Sequence, residues 1–514
     1  MAAEPARTTV GTPETAPPPV ASGSAPAGSP PEVAPPAPGA GRPWDDAMVG
    51  ASAGPPSREE SHERGHAARR EVPHERLADA GPEEGRPDPV ELLLSQAGSR
   101  VPELLPIRHG RMAASPFAFL RGAALVMAAD LAATARTGVD AQLCGDAHLA
   151  NFGVYGSPER RLLFDVNDFD ETLPGPFEWD LKRLVASIEV SAREHELKRK
   201  VRRSLTVGAV AAYREAMAEF AGQRLIDVWY AHIDAEKAAK SLARRDDLDA
   251  RLTREAVQKA RRRDQLRSVE KLTTVVDGRR VFVDDPPLVV RAPEMLSADE
   301  AALFEAGMDS LVVAYQATLQ DDRQQLLHGY RLVDIARKVV GVGSVGTRAW
   351  VLLMQGQDAD DCLLLQAKEA QASVLEQYVG ASRYENHGER VVQGQRLMQA
   401  ASDVLLGWRR VTGLDGVSRD FYVRQLRDWK GAVPVEELAP AGLLAYGRLC
   451  GWTLARAHAR SGDRIAIAAY LGHGDGADEA LADFAATYAD RTERDHAGLT
   501  AAIDEGRVEA RLGV

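Results

Sequence analysis

The chain has 514 residues, of which 45% are hydrophobic and 27% are charged, and its net charge is −12. This length and composition exclude a fibrous or mainly disordered chain and allow two or three domains with buried cores. The negative charge excludes a protein that coats nucleic acid with its whole surface. The three cysteines lie far apart, and no apolar run has transmembrane length. We therefore expect a cytoplasmic protein without a disulfide framework or a membrane partner.

The N-terminal residues predict a tail that lies outside the folded part of the chain. Residues 1 to about 56 are rich in Pro, Ala, Gly and Ser and contain almost no large apolar residues. Such a segment buries too little apolar surface to offset the entropy cost of ordering. A charged segment continues this tail as far as residue 87. We expect disorder over residues 1–87 and a folded part that begins near Asp88.

The next predicted elements are a helix, a polar loop, a strand and further helices. "SPFAFLRGAALVMAADLAATARTG" predicts one amphipathic helix that Ser115 caps and Gly138 ends. The polar loop "LCGDAHLANFGVYG" follows this helix. "RRLLFDVNDFDE" then predicts a strand of apolar residues that ends in carboxylates, and the residues from Pro176 onward predict helices.

The second half of the chain predicts strands and helices in alternation. "TTVVDGRRVFVDD" predicts a hairpin that turns at Asp277 and Gly278. "IARKVVGVGSVGTRAWVLLMQG" and "DCLLLQAKEA" predict further strands. A helix near "GERVVQGQRLMQAASDVLLGW" and a strand at "RDFYVRQLRD" follow, and the remainder of the chain is predicted to be helical.

Three clusters of polar residues could carry chemistry. The polar loop combines an Asp, a His and an Asn, the predicted strand after it ends in carboxylates, and a glycine-rich segment precedes a strand that contains a lysine. The residues are Asp146, His148 and Asn151 in the loop, Asp165, Asn167, Asp168, Asp170 and Glu171 at the strand end, and Gly341, Gly343, Ser344, Gly346 and Lys368 in the glycine segment and the later strand.

Transfer of a phosphoryl group from ATP requires these residue types. A carboxylate accepts the proton of the attacking hydroxyl, and an Asn and an Asp hold Mg²⁺ against the phosphates. A glycine-rich turn lets backbone N–H groups approach the phosphates, and a lysine neutralises their charge. Asp146 therefore fits the base, Asn151 and Asp168 fit the metal ligands, and Lys368 with the glycine segment fits the phosphate-binding part.

Each cluster also has an interpretation without chemistry. The glycine pattern could be a dinucleotide-binding turn, but such a turn opens into a helix, whereas an apolar strand pattern follows here. Asp146 and Asn151 could form a polar turn, and Lys368 could be an exposed strand end. His148 is better interpreted as a residue that orders the loop than as a proton shuttle. The functional interpretation depends on the co-occurrence of all three clusters in one chain.

The same residues resemble known families. "GDAHLANFG" resembles the "GDxHxxN" catalytic loop of the aminoglycoside-phosphotransferase and choline-kinase branch of the protein-kinase-like superfamily. "NDFDETLPGPFEWDLKRL" is similar to the metal-binding stretch of that branch, with Asp168 as the metal ligand and Asp180 at the start of a core helix. Most of residues 100–460 resembles a bacterial family, domain-of-unknown-function family 2252. The resemblance implies a helix-rich α+β fold with two lobes and an ATP- and Mg²⁺-dependent phosphotransferase.

The order of the motifs implies a circularly permuted fold. In kinases the glycine loop and the lysine precede the catalytic loop, whereas here they follow it. Permutation predicts a helical lobe with the catalytic loop and metal site at 88–325 and a β-rich nucleotide-binding lobe at 326–435. Residues 436–514 would then complete the helical lobe with C-terminal helices. A chain whose termini lie close together tolerates such rewiring.

Several assignments stay open at the level of the sequence. Glu389 is the preferred partner of Lys368, with Glu376 and Glu369 as alternatives. Asp168 is preferred over Asp165 as the second metal ligand. The arginines near the start of the Ser115 helix could bind a phosphate or an acidic substrate, or could be surface residues. These arginines are Arg108, Arg111 and Arg121.

The predicted acceptor is a small molecule, because the resembling motifs belong to a small-molecule branch. The basic residues from Gln258 to Arg267 are interpreted as a solvated helix face, so no nucleic-acid partner is expected. The oligomeric state is open. Transfer of AMP from the same site and a non-catalytic nucleotide-binding regulatory module are the alternative functions.

Overall fold

The structure is a computed structural model, and it describes residues 54–238, 258, 265–297, 312–339, 341, 343, 345–413, 415–426 and 429–513. Residues 55–514 form one unit with helical and β-rich parts. The fold is therefore mixed α+β and rich in helix, as predicted. The helices are α1 (Arg58–Glu71), α2 (Pro89–Ser95), α3 (Leu105–Met112), α4 (Pro116–Gly122), α5 (Ala124–Ala132), α6 (Phe177–Glu194), α7 (Arg199–Gly222), α8 (Leu225–Tyr230), α9 (Gln265–Leu272), α10 (Asp321–Leu327), α11 (Glu376–Val379), α12 (His387–Met398), α13 (Pro440–Ser461), α14 (Arg464–Leu471) and α15 (Gly476–Asp504).

Within the described residues, the strands form four antiparallel sheets. Their order is β12-β13-β11-β10-β9-β8 in the six-stranded sheet and β14-β2-β3-β5 in the four-stranded sheet, and β1 pairs with β4 and β6 with β7. The strands are β1 (Asp140–Leu143), β2 (Phe152–Gly156), β3 (Leu162–Val166), β4 (Leu173–Pro176), β5 (Ile233–Asp234), β6 (Thr273–Val276), β7 (Arg279–Phe282), β8 (Val289–Arg291), β9 (Arg331–Lys338), β10 (Ala349–Gln355), β11 (Cys362–Ala370), β12 (Gly407–Thr412), β13 (Ser418–Gln425) and β14 (Gly431–Ala432).

The main core lies among the long helices and extends to the polar loop between β1 and β2. Helix α6 is buried along almost its whole length. Helices α7 and α13 approach each other so closely that a Cβ added at Gly451 would lie 2.2 Å from the carbonyl oxygen of Ala209. The core side chains Leu149 and Phe152 belong to the polar loop and to β2. The loop that carries Asp146 is thus anchored in the core. No helix in the described ranges is long and apolar enough to cross a membrane.

The folded part begins before Asp88, contrary to the prediction from the sequence. Ser57 caps α1, and its hydroxyl oxygen accepts a bond from the backbone N–H of Glu60 at 3.2 Å. Helix α1 packs on α14, where Gly65 lies against the backbone of Ala466. The buried face of this helix consists of Ser61, Gly65 and Ala68. Because these residues are small, the sequence of this helix lacks the large apolar residues that usually indicate a buried face. Residues 1–53 lie outside the described part of the chain.

The predicted helix from Ser115 to Gly138 is two helices. Ser115 caps α4 as predicted, but α4 ends at Gly122 and α5 starts after Ala123. The carbonyl oxygen of Gly122 accepts a bond from Arg108 at 3.1 Å, so a side chain takes the place of the next helical turn. Gly138 has φ +69° and lies in the connection before β1 rather than at a helix end.

Two predicted turns are confirmed by the sheets. β6 and β7 pair antiparallel around Asp277 and Gly278, whose φ angles of 50° and 77° suit a tight hairpin turn. The glycine segment joins β9 to β10, which pair antiparallel. A strand therefore follows the glycines, as predicted, and not the helix that a dinucleotide-binding turn requires.

A buried ion pair joins β3 to α13. Asp165 and Arg456 are each 1% exposed and pair with each other. Asp165 also accepts a bond from the backbone N–H of Ala400 at 2.9 Å. The carboxylate of Asp165 is therefore occupied by structural contacts.

Replacement of Arg456 by Met should destabilise the protein strongly. It leaves the carboxylate of Asp165 buried without its cation, and breaking one side of such a pair costs about 3–5 kcal/mol. Urea denaturation measures the free energy of unfolding. The matched control is Arg224→Met, which removes an exposed ion pair with Asp227 and should leave the free energy of unfolding unchanged. Equal effects of the two substitutions would contradict the prediction.

Candidate functional site

The polar loop between β1 and β2 is held in place by the first turn of α6. Asp180 accepts bonds from the backbone N–H groups of Cys144 at 2.8 Å and Gly145 at 3.0 Å. His458 lies 3.3 Å from the same carboxylate. Gly145 has φ +81°, and a Cβ there would lie 2.3 Å from the carbonyl oxygen of Glu171, so this position requires glycine. The loop is therefore held in position by contacts within the protein.

Asp146 is the accessible carboxylate of this loop. Its side chain is 21% exposed. Arg183 donates to its Oδ1 at 2.8 Å, which leaves Oδ2 on the side of His148 at 3.5 Å. Burial lowers the pKa of His148 to about 4, although the nearby Asp146 opposes this shift. His148 is therefore neutral near pH 7, and its role in ordering the loop fits this better than proton transfer does.

Asn151 connects the polar loop to the segment after β3. Its side-chain N–H group donates to the carbonyl oxygens of Asp146 at 3.1 Å and Asp168 at 3.0 Å. The other side-chain atom, Oδ1, is buried and has no hydrogen-bond partner within the described residues. The same is true of Oδ1 of Asp168. Two buried oxygens without donors fit a cation that prefers oxygen ligands, and Mg²⁺ is such a cation. Of the candidate ligands, Asn151 and Asp168 therefore have oxygens suited to Mg²⁺, whereas the carboxylate of Asp165 is occupied.

Lys368 lies among the carboxylates that follow β3. Its ammonium is 3.5 Å from Oδ2 of Asp168, and it also pairs with Asp170. Tyr422, which is opposite Lys368 in the sheet, donates its hydroxyl to Asp170 at 2.8 Å. The lysine side chain is 3% exposed. Residues about 200 positions apart in the chain thus meet in one ion cluster.

The charges in this cluster shift one another. Burial raises the pKa of Asp168. The positive charges of Lys368, Arg424 and Lys430 together lower it by more, so the net shift is downward. The pKa of Asp170 is raised by burial and by the neighbouring Asp168. Burial opposes the charge on Lys368, yet the two carboxylates raise its pKa. Asp168 is therefore the more readily ionised carboxylate of this pair, and Lys368 stays protonated.

None of the three glutamates considered from the sequence pairs with Lys368 in the described structure. Glu369 accepts from Arg348 at 3.2 Å, and Glu376 lies 3.8 Å from Arg390. Glu389 lies in the first turn of α12, where its backbone N–H group is capped by Asn386. Helix α12 instead contributes Arg390, which donates to the carbonyl oxygens of Asp170 at 2.8 Å and Thr172 at 2.7 Å. Asp170 takes the role that was predicted for a glutamate.

The glycine segment is tied to the residues before α4 rather than to Lys368 directly. Arg100 donates to the carbonyl oxygen of Gly343 at 2.9 Å, and Arg111 donates to that of Gly341 at 2.5 Å. The carbonyl oxygen of Gly346, whose φ is +92°, accepts from Val101 at 2.8 Å. Ser344 lies outside the described residues. The strand that follows these glycines brings Ala349 opposite Lys368.

The three arginines noted near α4 do not act as one cluster. Arg108 is buried and donates to Gln96 at 2.9 Å and to Gly122, and Arg111 holds the glycine segment. Burial lowers the pKa of Arg121, while the charge of Asp146 opposes this shift. Of these three arginines, Arg121 is therefore the one whose charge interacts with Asp146 in the polar loop. Most of the basic segment from Gln258 to Arg267 lies outside the described part of the chain.

Three residues of the site were not among the candidates chosen from the sequence. Tyr422 and Arg424 are two positions apart on β13 and therefore share one face of the sheet. Arg424 and Lys430 both donate to the carbonyl oxygen of Asn167, at 3.3 Å and 3.1 Å. Burial and the neighbouring Arg424 lower the pKa of Lys430 to about 7. Asp170 was among the carboxylates noted at the strand end, but its pairing with Lys368 was not predicted. The alternating pattern of β13 was visible in the sequence, but its pairing with β11 was not.

The fold and the site define an α+β protein in which a buried lysine–carboxylate cluster adjoins a preformed polar loop. Comparison with protein families shows that the chain belongs to DUF2252, a family described as an uncharacterised protein conserved in bacteria, whose model matches residues 100–502. Comparisons with curated proteins and with solved structures gave no match.

Replacement of Lys368 by Met should destabilise the protein in a pH-dependent way. It leaves Asp168 and Asp170 together without their ammonium, at a cost of about 1–3 kcal/mol near pH 7.5. Without the ammonium, the pKa of Asp168 is no longer lowered by Lys368, and the pKa of Asp170 rises further above its unfolded value. A carboxylate whose folded pKa is raised loses stability as pH rises through that pKa, so the variant is destabilised most at the higher pH. The difference in the free energy of unfolding between the wild type and Lys368→Met should therefore become smaller towards pH 5.

Urea denaturation at several pH values, in a buffer without divalent cations, measures this gap. The control is Lys271→Met, which changes an exposed lysine of α9 and should have no effect at either pH. A gap that is independent of pH would show that Lys368 does not control the ionisation of the two aspartates.

Proposed function

We propose that this protein is an ATP-dependent phosphotransferase that moves the γ-phosphate to a hydroxyl of a small-molecule acceptor. The observation that carries the proposal is the pair of buried, unpartnered oxygens of Asn151 and Asp168 beside the ammonium of Lys368. This set offers oxygen ligands for a cation and a positive charge for phosphate at one place, which is what phosphoryl transfer requires.

The spacing and position of the residues also support the proposal. Asp146 and Asn151 are separated by four residues, the spacing of the base and the metal-binding Asn in the catalytic loop of protein kinases. Asp168 follows the hairpin of β2 and β3, and Lys368 lies on a strand of an antiparallel sheet. A circularly permuted kinase-like fold remains our proposal for the relation of the two parts, because Lys368 follows Asp146 in the chain.

The residues would act as follows. Asp146 accepts the proton of the acceptor hydroxyl while the hydroxyl oxygen bonds to the γ-phosphorus, and ADP leaves with the electrons of the broken P–O bond. Arg183 and His148 hold the carboxylate of Asp146 in position. Asn151 and Asp168 would hold Mg²⁺, which neutralises charge on the phosphate oxygens when it is bound. Lys368 binds the phosphates.

Transfer of AMP is the second candidate, and one observation favours it. Arg424 and Lys430 add two basic groups close to Asp168. If these groups bind the β- and γ-phosphates of ATP, the α-phosphate is the one that remains free to react with the acceptor. ATP labelled at the α- or the γ-phosphate, incubated with the protein and a metabolite extract, separates the two reactions. We expect label in a small-molecule product from γ-labelled ATP. Product label from α-labelled ATP alone would make AMP transfer the function.

Asp146→Asn and Asp168→Asn should separate the base from the metal ligand. The first should lower turnover by about 10²- to 10⁴-fold and leave ATP–Mg²⁺ binding intact, because Asp146 is proposed to contact the acceptor. The second should weaken Mg²⁺-dependent ATP binding, because it removes a charged ligand. Calorimetric titration measures binding, and slow hydrolysis of ATP measures turnover before an acceptor is known.

The matched control is Asp227→Asn, an exposed aspartate that pairs with Arg224, which should change neither quantity. Full activity in Asp146→Asn would contradict its role as base. ATP binding by the wild type without turnover on any acceptor or on water would favour a non-catalytic regulatory module instead.

A further inference from the structure

Two cations near the site share a single backbone carbonyl. Lys430 Nζ and Arg424 Nη1 lie 3.1 Å and 3.3 Å from the carbonyl oxygen of Asn167, the residue before Asp168. A carbonyl oxygen bears only a partial negative charge, so it does not compensate the guanidinium of Arg424 together with a protonated Lys430. Buried or half-buried like charges are costly unless an anion compensates them. This arrangement therefore indicates an anionic ligand.

Lys368 lies on the same face of the six-stranded sheet as Arg424. Tyr422 is opposite Lys368 in the sheet, and Arg424, two residues later, is opposite Gln366. Side chains two positions apart on a strand lie on one face, so Arg424 and Lys368 point to the same side. The guanidinium of Arg424 also lies 5.5 Å from the centre of the Tyr422 ring, which limits its freedom to turn away.

The charges around this carbonyl leave room for an anion with several charges. Lys368, Arg424 and Lys430 act on Asp168, Asp170 is the second carboxylate of the cluster, and Asp403 acts on Arg424. Burial and Arg424 lower the pKa of Lys430 to about 7, so an anion beside it would favour its charged form. Mg²⁺ at Asp168 would add two positive charges, and a chain of phosphates supplies several negative charges that compensate them.

The backbone before Lys430 is strained. Trp429 has φ +55°, a conformation that costs a bulky residue on the order of 1–3 kcal/mol and persists where the surrounding structure enforces it. The guanidinium of Arg160 lies 4.1 Å from the centre of the Trp429 ring, so the ring is held in this conformation. Such conformations cluster at ligand-binding positions, although tight turns also contain them, and Lys430 is the next residue.

We infer that Arg424 and Lys430, together with Lys368, form a binding site for a linear oligophosphate, and that the protein binds inorganic triphosphate as well as the triphosphate of a nucleotide. Arg424 offers a planar fork of donors to phosphate oxygens, and Lys430 offers a compact charge. The inference rests on the proposed function in one respect only, namely that the ligand in the cell is the triphosphate of ATP.

The test is calorimetric titration of the whole chain with sodium tripolyphosphate and with ATP–Mg²⁺. Lys430→Met and Arg424→Met should each weaken tripolyphosphate binding by about 10- to 100-fold, the usual effect of losing one charged hydrogen bond. Lys430→Arg should retain most of the affinity, because the charge remains. The matched control is Arg409→Met on β12, which is opposite Phe421 and therefore on the other face of the sheet, and its affinity should be unchanged.

The outcomes separate this inference from the proposed function. Loss of tripolyphosphate binding in both methionine variants, without transfer to any acceptor, supports the oligophosphate site and contradicts the phosphotransferase. Unchanged tripolyphosphate affinity in both variants, or no binding by the wild type, overturns the inference even if phosphate transfer is found. Thermal unfolding shows which variants are folded, and if one methionine variant does not fold, the other and Lys430→Arg decide.

Discussion

The burial of one ammonium group is the constraint on which the rest of the site depends. Lys368 is charged and almost fully buried, and a buried charge is stable only when it is paired. Its partners, Asp168 and Asp170, come from a segment about 200 residues earlier in the chain. The six-stranded sheet must therefore dock against the segment that follows β3. This docking creates the site, since neither part contains both the cation and the carboxylates.

Other polar contacts make this docking specific. Arg390 on α12 binds the carbonyl oxygens of Asp170 and Thr172, and Asp180 on α6 binds the loop of Asp146. A buried group that has one geometrically suitable partner fixes a register in a way that apolar packing alone does not. The oxygens of Asn151 and Asp168 are exceptions, because they are buried and unpartnered among the described residues. This is why we propose a cation there and not at Asp165, whose carboxylate is occupied.

Local patterns predicted much of the fold. The strand at Leu162–Val166, the hairpin at Asp277 and Gly278, and the strand after the glycine segment are confirmed, because alternation and turn chemistry act over a few residues. Two predictions were wrong for long-range reasons. Helix α1 is stabilised by small residues that pack on α14. At the break between α4 and α5, Arg108 donates to the carbonyl oxygen of Gly122. No sequence pattern near Ala123 predicts this contact, because Arg108 lies in another helix.

The sequence by itself determined which residues are candidates for the site, since Asp146, Asn151, Asp168 and Lys368 were all selected from the sequence. Only the tertiary structure decided their partners. It joined Lys368 to Asp170 rather than to a glutamate, assigned Asp165 to a structural ion pair, and added Tyr422, Arg424 and Lys430. The physical reason is range: propensity and turn chemistry are local, whereas the pairing of buried charges depends on which segments the sheet and helices bring together.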